Sequence, residues 1–480
     1  MRGRSWTRRL RWSGVAAILC VLAACTWGQP GYDAGRAGWS SGDGSFTTSN
    51  VSSTSLLWEA DGVPDESPLY GISNTVPAMD AQHIFFTSGP YAGASALESF
   101  DRDGGPNCAG SPRVCEPSWT ANVPFPAGGS DPIVGDGMVF VGGNVANTWI
   151  VLGFDAAGVR RCAGTPVVCQ PVWSASWPGG ASDADVYLMT SGDTLFATTQ
   201  DLRTSAGPPS SVFAFDATGA HGCTGTAPTT CTAMFSVSNG ANVEYPGVAG
   251  GVLFVPGTDG VDAYDATGTT GCSGVPKVCQ PLWRAGTIGP TTYAVVSGGV
   301  LYTQIVVPPR VGVPETGTLY AFDAAGKQRC SGTPKVCSPL FISSGDIRLP
   351  VVAAGRVFVA TGDFRTGLSL ESVSATGAVG CSGVIPTCAH LSTAALPAGG
   401  IVIGATKSVL FVLVNSGRLM AYALDGTNCS TATPSVCTPL LSIPVPSLNL
   451  GFSVANGRVA TVAESPRIRS QALFVYGLPN

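Results

Sequence analysis

Fourteen of the sixteen cysteines stand in seven close pairs: Cys108/Cys115, Cys162/Cys169, Cys223/Cys231, Cys272/Cys279, Cys330/Cys337, Cys381/Cys388 and Cys429/Cys437. Two thiols at such spacing can close a disulfide or share a metal. Zinc pairs are usually two to four residues apart and often joined by histidine. Here the gaps are wider, and the chain has three histidines: His83, His221 and His390. No metal is therefore expected. The inserts hold turn residues, as in Cys330-Ser331-Gly332-Thr333-Pro334-Lys335-Val336-Cys337. The spacing predicts seven local disulfides, which persist in oxidising compartments. Each small loop should contribute about 2–3 kcal/mol on a chain-entropy model.

Other catalytic patterns are missing from the sequence. It holds no Cys-Cys dipeptide, no C-x-x-C-H haem site and no G-x-S-x-G elbow. His221 and His390 lie beside cysteine pairs, and three histidines offer no evident Ser/His/Asp set. No catalytic residue is assigned.

The elements that carry the cysteines are copies of one unit. A short apolar strand, a Gly turn and a second strand recur near Val76, Ile133, Tyr187, Pro246, Ala294, Pro350, Ile403 and Phe452. A third strand follows, ending in a phrase such as Ala214-Phe215-Asp216-Ala217-Thr218-Gly219 or Ala321-Phe322-Asp323-Ala324-Ala325-Gly326. The cysteine loop comes next, then a fourth strand. Four antiparallel strands per ~50–60 residues describe a propeller blade. The expected fold is all-β, an eight-bladed β-propeller, with seven blades as the alternative. The eighth unit lacks a fourth strand, and Leu56-Leu57-Trp58 resembles one. The N-terminal segment should therefore close the ring and remove an open sheet edge. The recurring Asp101, Asp155, Asp216, Asp265, Asp323 and Asp425 suit side-chain-to-backbone turn bonds, with Ser374 in the sixth unit. The fourth-strand Trp119, Trp173 and Trp283 suit packing.

These phrases, the fourth-strand aromatics and the lead-in Trp27 with Gly31-Tyr32-Asp33-Ala34-Gly35-Arg36-Ala37-Gly38 resemble the pyrroloquinoline-quinone-like (quinoprotein-type) propeller superfamily. The resemblance covers nearly all of the mature chain. It implies the fold, and it leaves activity open, because the superfamily holds both dehydrogenases and non-catalytic scaffolds. The cysteine loops depart from its usual pattern.

The N-terminus adds a destination. Arg2, Arg4, Arg8, Arg9 and Arg11 precede an apolar run from Gly14 to Ala24, too short to span a bilayer comfortably and typical of a secretory signal. Leu22-Ala23-Ala24-Cys25 resembles the lipobox of bacterial lipoproteins, which implies acylation of Cys25. Cys20 would leave with the signal. The reading divides the chain into a signal peptide (1–24), an anchor tether and lead-in (25–50) and one propeller (51–480). Charged residues make up 11% and the net charge is −5, so nucleic acid is a poor partner.

Function is expected where the repeat breaks. Long connections run from Gln200 to Ser210 and from Val306 to Thr318. Asn74, Asp131, Asp185, Glu244, Thr292, Arg348 and Asn449 enter the innermost strands and should ring one mouth of the central channel, opposite the cysteine turns. Neutralising Asp131 and Glu244 together should then leave folding intact. The first functional reading is a non-catalytic, envelope-anchored scaffold for protein binding or assembly. Its partners would be a membrane, through the lipid, and another envelope protein or an extracellular ligand. The alternatives are a quinoprotein-type oxidoreductase using PQQ with calcium, and a secreted lectin-like or ligand-sensing propeller.

Overall fold

A computed structural model describes residues 26–61, 76–89, 94–126, 129–179, 185–200, 211–226, 228–238, 245–287, 289–291, 293–307, 316–344, 350–363, 365–447, 451–464 and 471–479. The signal segment and Cys25 lie outside them. Eight antiparallel blades form the ring, each built on four main strands ordered from the axis outward. Blade 1 comprises Ala78–Met79, His83–Ser88, Ser95–Asp101 and Trp119–Val123. Blade 8 comprises Phe452–Ala455, Arg458–Glu464, Gln471–Gly477 and, as its outer strand, Ser55–Asp61. Glu59 lies opposite Phe474 and Ala60 opposite Leu473 in this closing ladder. The count is eight, and the N-terminal strand closes the ring.

The seven cysteine pairs are joined as disulfides, all within their own repeat. Each stapled hairpin does more than shorten a turn. Its returning arm pairs in parallel with the outer strand of the preceding blade. Val114, Val168, Thr230, Val278, Val336, Thr387 and Val436 lie opposite Glu59, Thr120, Ser174, Ser236, Arg284, Ile342 and Thr393. A β-branched residue occupies the docking position every time, as a pleated, half-covered surface favours. The staple of one blade is thus the outer cover of its neighbour. Blade 8 takes its outer strand from the N-terminal segment, and among the described residues no stapled turn follows its third strand. Among the described residues blade 7 has four strands and no hairpin on its outer strand Leu441–Pro444.

This docking corrects the picture of the disulfides as clips that only close small turns. The first cysteine of each pair is half-buried. The second lies on the returning arm, and in six pairs it is buried: Cys115, Cys169, Cys231, Cys279, Cys337 and Cys388 each belong to an apolar core cluster between blades. The exception is Cys437 of blade 7, which is half-buried. The turn residues between the cysteines gave no sign of this, because the covering surface comes from the neighbouring blade. Loop closure alone therefore understates these six bonds. Removing a buried sulfur also costs the packing around it.

Packing between blades follows the same logic. The indole nitrogens of Trp58, Trp119 and Trp173 donate to the carbonyls of Arg102, Ala156 and Asp216 in the next blade, at 3.3, 3.2 and 3.0 Å. The Asp-turn glycine makes room for this ring. Gly326 has φ +63°, and a Cβ there would lie 2.5 Å from Trp283.

The repeated aspartates tie the staple turns. Asp323 accepts the N–H groups of Ala325, Lys327 and Gln328. Asp265 accepts from the backbone of Thr267, Thr269 and Thr270 and from two threonine hydroxyls. Burial opposes its charged form, yet these donors hold the carboxyl well below the usual range. One assignment needs correction. Asp323 pairs with Val300 and Ala423 with Val409, so Ala423 fills the repeat position in blade 7. Asp425 sits two residues later and bonds only locally, to Thr427.

Candidate functional site

The proposed mouth lies mostly outside the described residues. Asn74, Glu244, Thr292, Arg348 and Asn449 fall there, as do residues 201–210 and 308–315 of the two long connections. The connections are shorter than the sequence suggests. Gln200 still belongs to the strand Thr194–Gln200, opposite Asp185. Val306 pairs with Gly317 and Ile305 with Thr318. Asp131 is half-buried, and its Oδ1 accepts the Val76 N–H at 2.6 Å. It therefore links the entries of blades 1 and 2. An Asn amide oxygen can keep this backbone tie, as neutralisation with intact folding requires, whereas an Ala would remove it.

Along the axis of the ring the channel is not empty. The lead-in travels around the inside of the ring and meets the innermost strand of one blade after another. Trp27 exchanges two backbone hydrogen bonds of 2.8 Å with Met79 of blade 1. The Gly28 carbonyl accepts Val134 N–H of blade 2 at 2.6 Å. The Gln29 side chain brackets the Thr190 backbone of blade 3. Ala34, Gly35 and Ala37 accept from Val248, Val296 and Val352 of blades 4, 5 and 6 at 2.7, 2.7 and 2.8 Å. Gly38 and Ser40 pair with Ala405 of blade 7. The Trp27 ring stacks near Phe452 of blade 8, with centroids 6.4 Å apart. Close backbone approach explains two glycines: a Cβ at Gly28 or Gly35 would lie 2.6 or 2.5 Å from the Val134 or Val296 carbonyl oxygen.

Arg36 is the hub of this segment. It is 2% exposed. Its guanidinium donates to the carbonyls of Pro246 (2.6 Å), Pro30 (3.0 Å) and Leu188 (3.5 Å) and lies 5.2 Å from the Tyr245 ring centroid. Burial pushes it down to about 10, against the opposing pull of Tyr245, Asp131 and Asp33, so it stays cationic at neutral pH. Tyr187 and Tyr245 meet edge-to-face at 4.8 Å. Asp131, Tyr187, Tyr245 and Arg36 thus form a polar-aromatic cluster around the buried guanidinium. Sequence reading missed the last three. The Gly-rich spacing of the lead-in is the signal that could have shown the close packing there.

A second polar set joins blades 5 and 6. Ser344 Oγ lies 3.3 Å from His390 Nε2, and His390 Nδ1 lies 3.1 Å from Glu371 Oε2. Thr361 and Thr393 hydroxyls donate to the other Glu371 oxygen. The three histidines do therefore include one in a Ser/His/acid alignment. The same Nε2, however, lies 3.2 Å from the Ser344 carbonyl. A doubly protonated imidazole satisfies the carboxylate and that carbonyl together. The Glu371 hydrogen bond raises the His390 pKa accordingly, and the set works as an interblade clamp. Among the described residues no three His, Cys, Asp or Glu side chains gather to hold a metal ion.

The largest exposed apolar side chains sit elsewhere. Val275, Val278, Val336, Val384, Ile385 and Val436 stand exposed on the stapled hairpins of blades 4 to 7. Val159 and Val379 add exposed apolar side chains on the turns before the staples of blades 2 and 6.

No protein-family model matches the chain, and no curated protein matches it in sequence. Among solved structures it is similar to Citrobacter koseri AztD, at 10% identity over 82% of this chain and 91% of that one, with a TM-score of 0.40. The WD40 β-propeller domain of Doa1 matches at 9% identity over 90% and 97%, with a TM-score of 0.39. Kluyveromyces lactis Hsv2 matches at 8% over 72% and 96%, with a TM-score of 0.37. Likeness at this level concerns the fold, and nothing about activity is drawn from it.

Proposed function

We propose that the protein is an exported, non-catalytic propeller that binds another protein at the cell envelope, held to the membrane through a lipid on Cys25. The observation that carries the reading is the apolar exposure on the hairpins of blades 4 to 7. Seven disulfides support an oxidising location, and among the described residues no helix is long and apolar enough to cross a membrane. The PQQ-like resemblance contributes the scaffold precedent. The sequence-expected mouth at Asp131 and Asp185 is the second candidate surface.

Crosslinking in native membranes tests the idea. Val275→Asp combined with Val384→Asp should leave melting unchanged, because both side chains are exposed, and should abolish the crosslinked partner. A partner lost instead on Asp185→Asn moves the binding surface to the mouth. Cys25→Ser should release the protein from membranes, and a membrane-bound Cys25→Ser protein removes the lipid from the reading. Added PQQ with calcium should give no dye reduction. Stoichiometric quinone binding with turnover would replace the scaffold by an oxidoreductase.

A further inference from the structure

Seven of the eight outer strands carry a parallel strand supplied by the next blade. The eighth, Leu441–Pro444, has none among the described residues. The repeat itself says what would fit there. In the covered blades the outer-strand residue after the aromatic position sends its N–H outward, as Arg284 does to Lys335 O and Ile342 to Pro386 O, both at 2.9 Å. The outer-strand carbonyl two residues earlier also points outward. Leu391 O accepts Ser435 N–H of the docked strand at 3.1 Å. In blade 7 the matching residues are Ser442 and Leu440, since Leu441 faces Ala421 as Phe341 faces Ala321. Ser442 is exposed, with its hydroxyl 3.0 Å from Arg418 Nη1. Unpaired outer edges are usually blunted by charge, proline or cover. This strand carries no charged residue, and its single proline, Pro444, lies at its far end.

We propose that the outer strand of blade 7 is a docking site for an extended segment of a partner protein. That segment runs parallel to Leu441–Pro444 and sets a Val or Thr opposite Ser442. Main-chain bonds supply the pairing, and the β-branched residue favours the extended backbone they need. A second copy is the poorer occupant. Outer strands meeting edge to edge about a perpendicular two-fold axis run antiparallel, whereas all seven ladders here are parallel. The proposal deepens the scaffold reading and rests on it.

The probe is a fluorescent, oxidised peptide spanning residues 328–339 of this chain, which contains the blade 5 staple. Anisotropy with the oxidised full-length protein should show saturable one-to-one binding. It should weaken by about tenfold or more, equivalent to ~1.4 kcal/mol, on Ser442→Pro, which removes the outward N–H. A probe with Val336→Asp should weaken similarly. Hydrogen exchange on the unmodified protein guards against misfolding of the proline variant: the Ser442 amide should gain protection when the probe is added. Non-saturable binding, binding indifferent to Ser442→Pro, or an unprotected Ser442 amide overturns the site. Self-association that vanishes with Ser442→Pro assigns the edge to a second copy and overturns the foreign partner. If the crosslinked membrane partner persists while the probe fails, the edge falls and the scaffold reading stands.

Discussion

Blades 1 and 6 carry the same Leu-Glu-Ser on their third strands, yet the two glutamates live in opposite states. Glu98 faces Thr120 of its outer strand and Glu371 faces Thr393, so the positions are equivalent. Each accepts a hydroxyl from its second strand, Ser88 at 2.6 Å and Thr361 at 3.4 Å. The difference lies two residues before the outer strand. Blade 6 has His390 there and blade 1 has Pro117, beside Glu116. With no cation to meet it, burial lifts the Glu98 carboxyl to about 7, helped by Glu116 and opposed by Ser88. Glu371 is also penalised by burial, but His390 and neighbouring hydroxyls hold it below its ordinary value. A repeat thus fixes where a carboxyl sits, and one neighbour decides whether it is an acid or an anion.

The strongest way to break this contrast is Glu98→Gln. The folded carboxyl keeps its proton up to about 7, while the unfolded one ionises near 4.5. Wild-type stability should therefore fall as pH rises from 4.5 to 7. At ~1.4 kcal/mol per unit the penalty above pH 7 is at most roughly 3 kcal/mol. Glu98→Gln should be the more stable protein at pH 8 by ~2–3 kcal/mol and should lose that pH slope in denaturant titrations. An unchanged slope means that Glu98 is ionised and solvated.

His390→Gln should act in the other direction and less strongly. The His390 pKa is raised from 6.5, so its contribution is complete below 6.5 and lost as pH rises through the folded value. Glu371 is lowered from 4.5, so its share is present above 4.5 and lost on further acidification. The clamp should contribute most between pH 4.5 and 6.5. The groups are partly exposed, so the loss should be about 0.5–1 kcal/mol there and near zero at pH 9. Equal destabilisation at both pH values points to packing and not charge. Pro117→His, which brings blade 6 chemistry into blade 1, should have the smallest effect. It should lower the Glu98 pKa as seen by carboxyl NMR titration, with a stability change of a few tenths of a kcal/mol.

The blades themselves were legible because each copy confirms the others. Eight strand-turn-strand signatures, seven staples and the stray Leu56-Leu57-Trp58 leave few ways to arrange the chain. The pairing of the cysteines was legible for the same reason, but the burial of Cys169, Cys231, Cys279 and Cys388 was not, since each is covered by a different blade. Asp425 misled because Leu424-Asp425-Gly426 preserves the look of the phrase while the register moves by two residues. The interblade clamp was out of reach for a related reason. Ser344, Glu371 and His390 sit on different elements of two blades, and only the docking of the blade 6 hairpin brings them together. The lead-in was recognised as a motif but not as the ring's inner belt. Its partners, from Met79 to Ala405, are 52 to 367 residues away from Trp27 and Gly38, and backbone pairing leaves no side-chain pattern to read.

That belt has a mechanical consequence. Force applied upstream of Trp27 enters the molecule at its axle and not at its rim. The first bonds to yield are those between Trp27 and Met79, and each later blade is loaded only after the one before has let go. A pull from the N-terminal side would meet a sequence of small resistances, ending in the closing strand Ser55–Asp61. A pull on the rim would meet whole sheets at once. A molecule pulled at its axle therefore gives way bond by bond while its stapled rim keeps its shape.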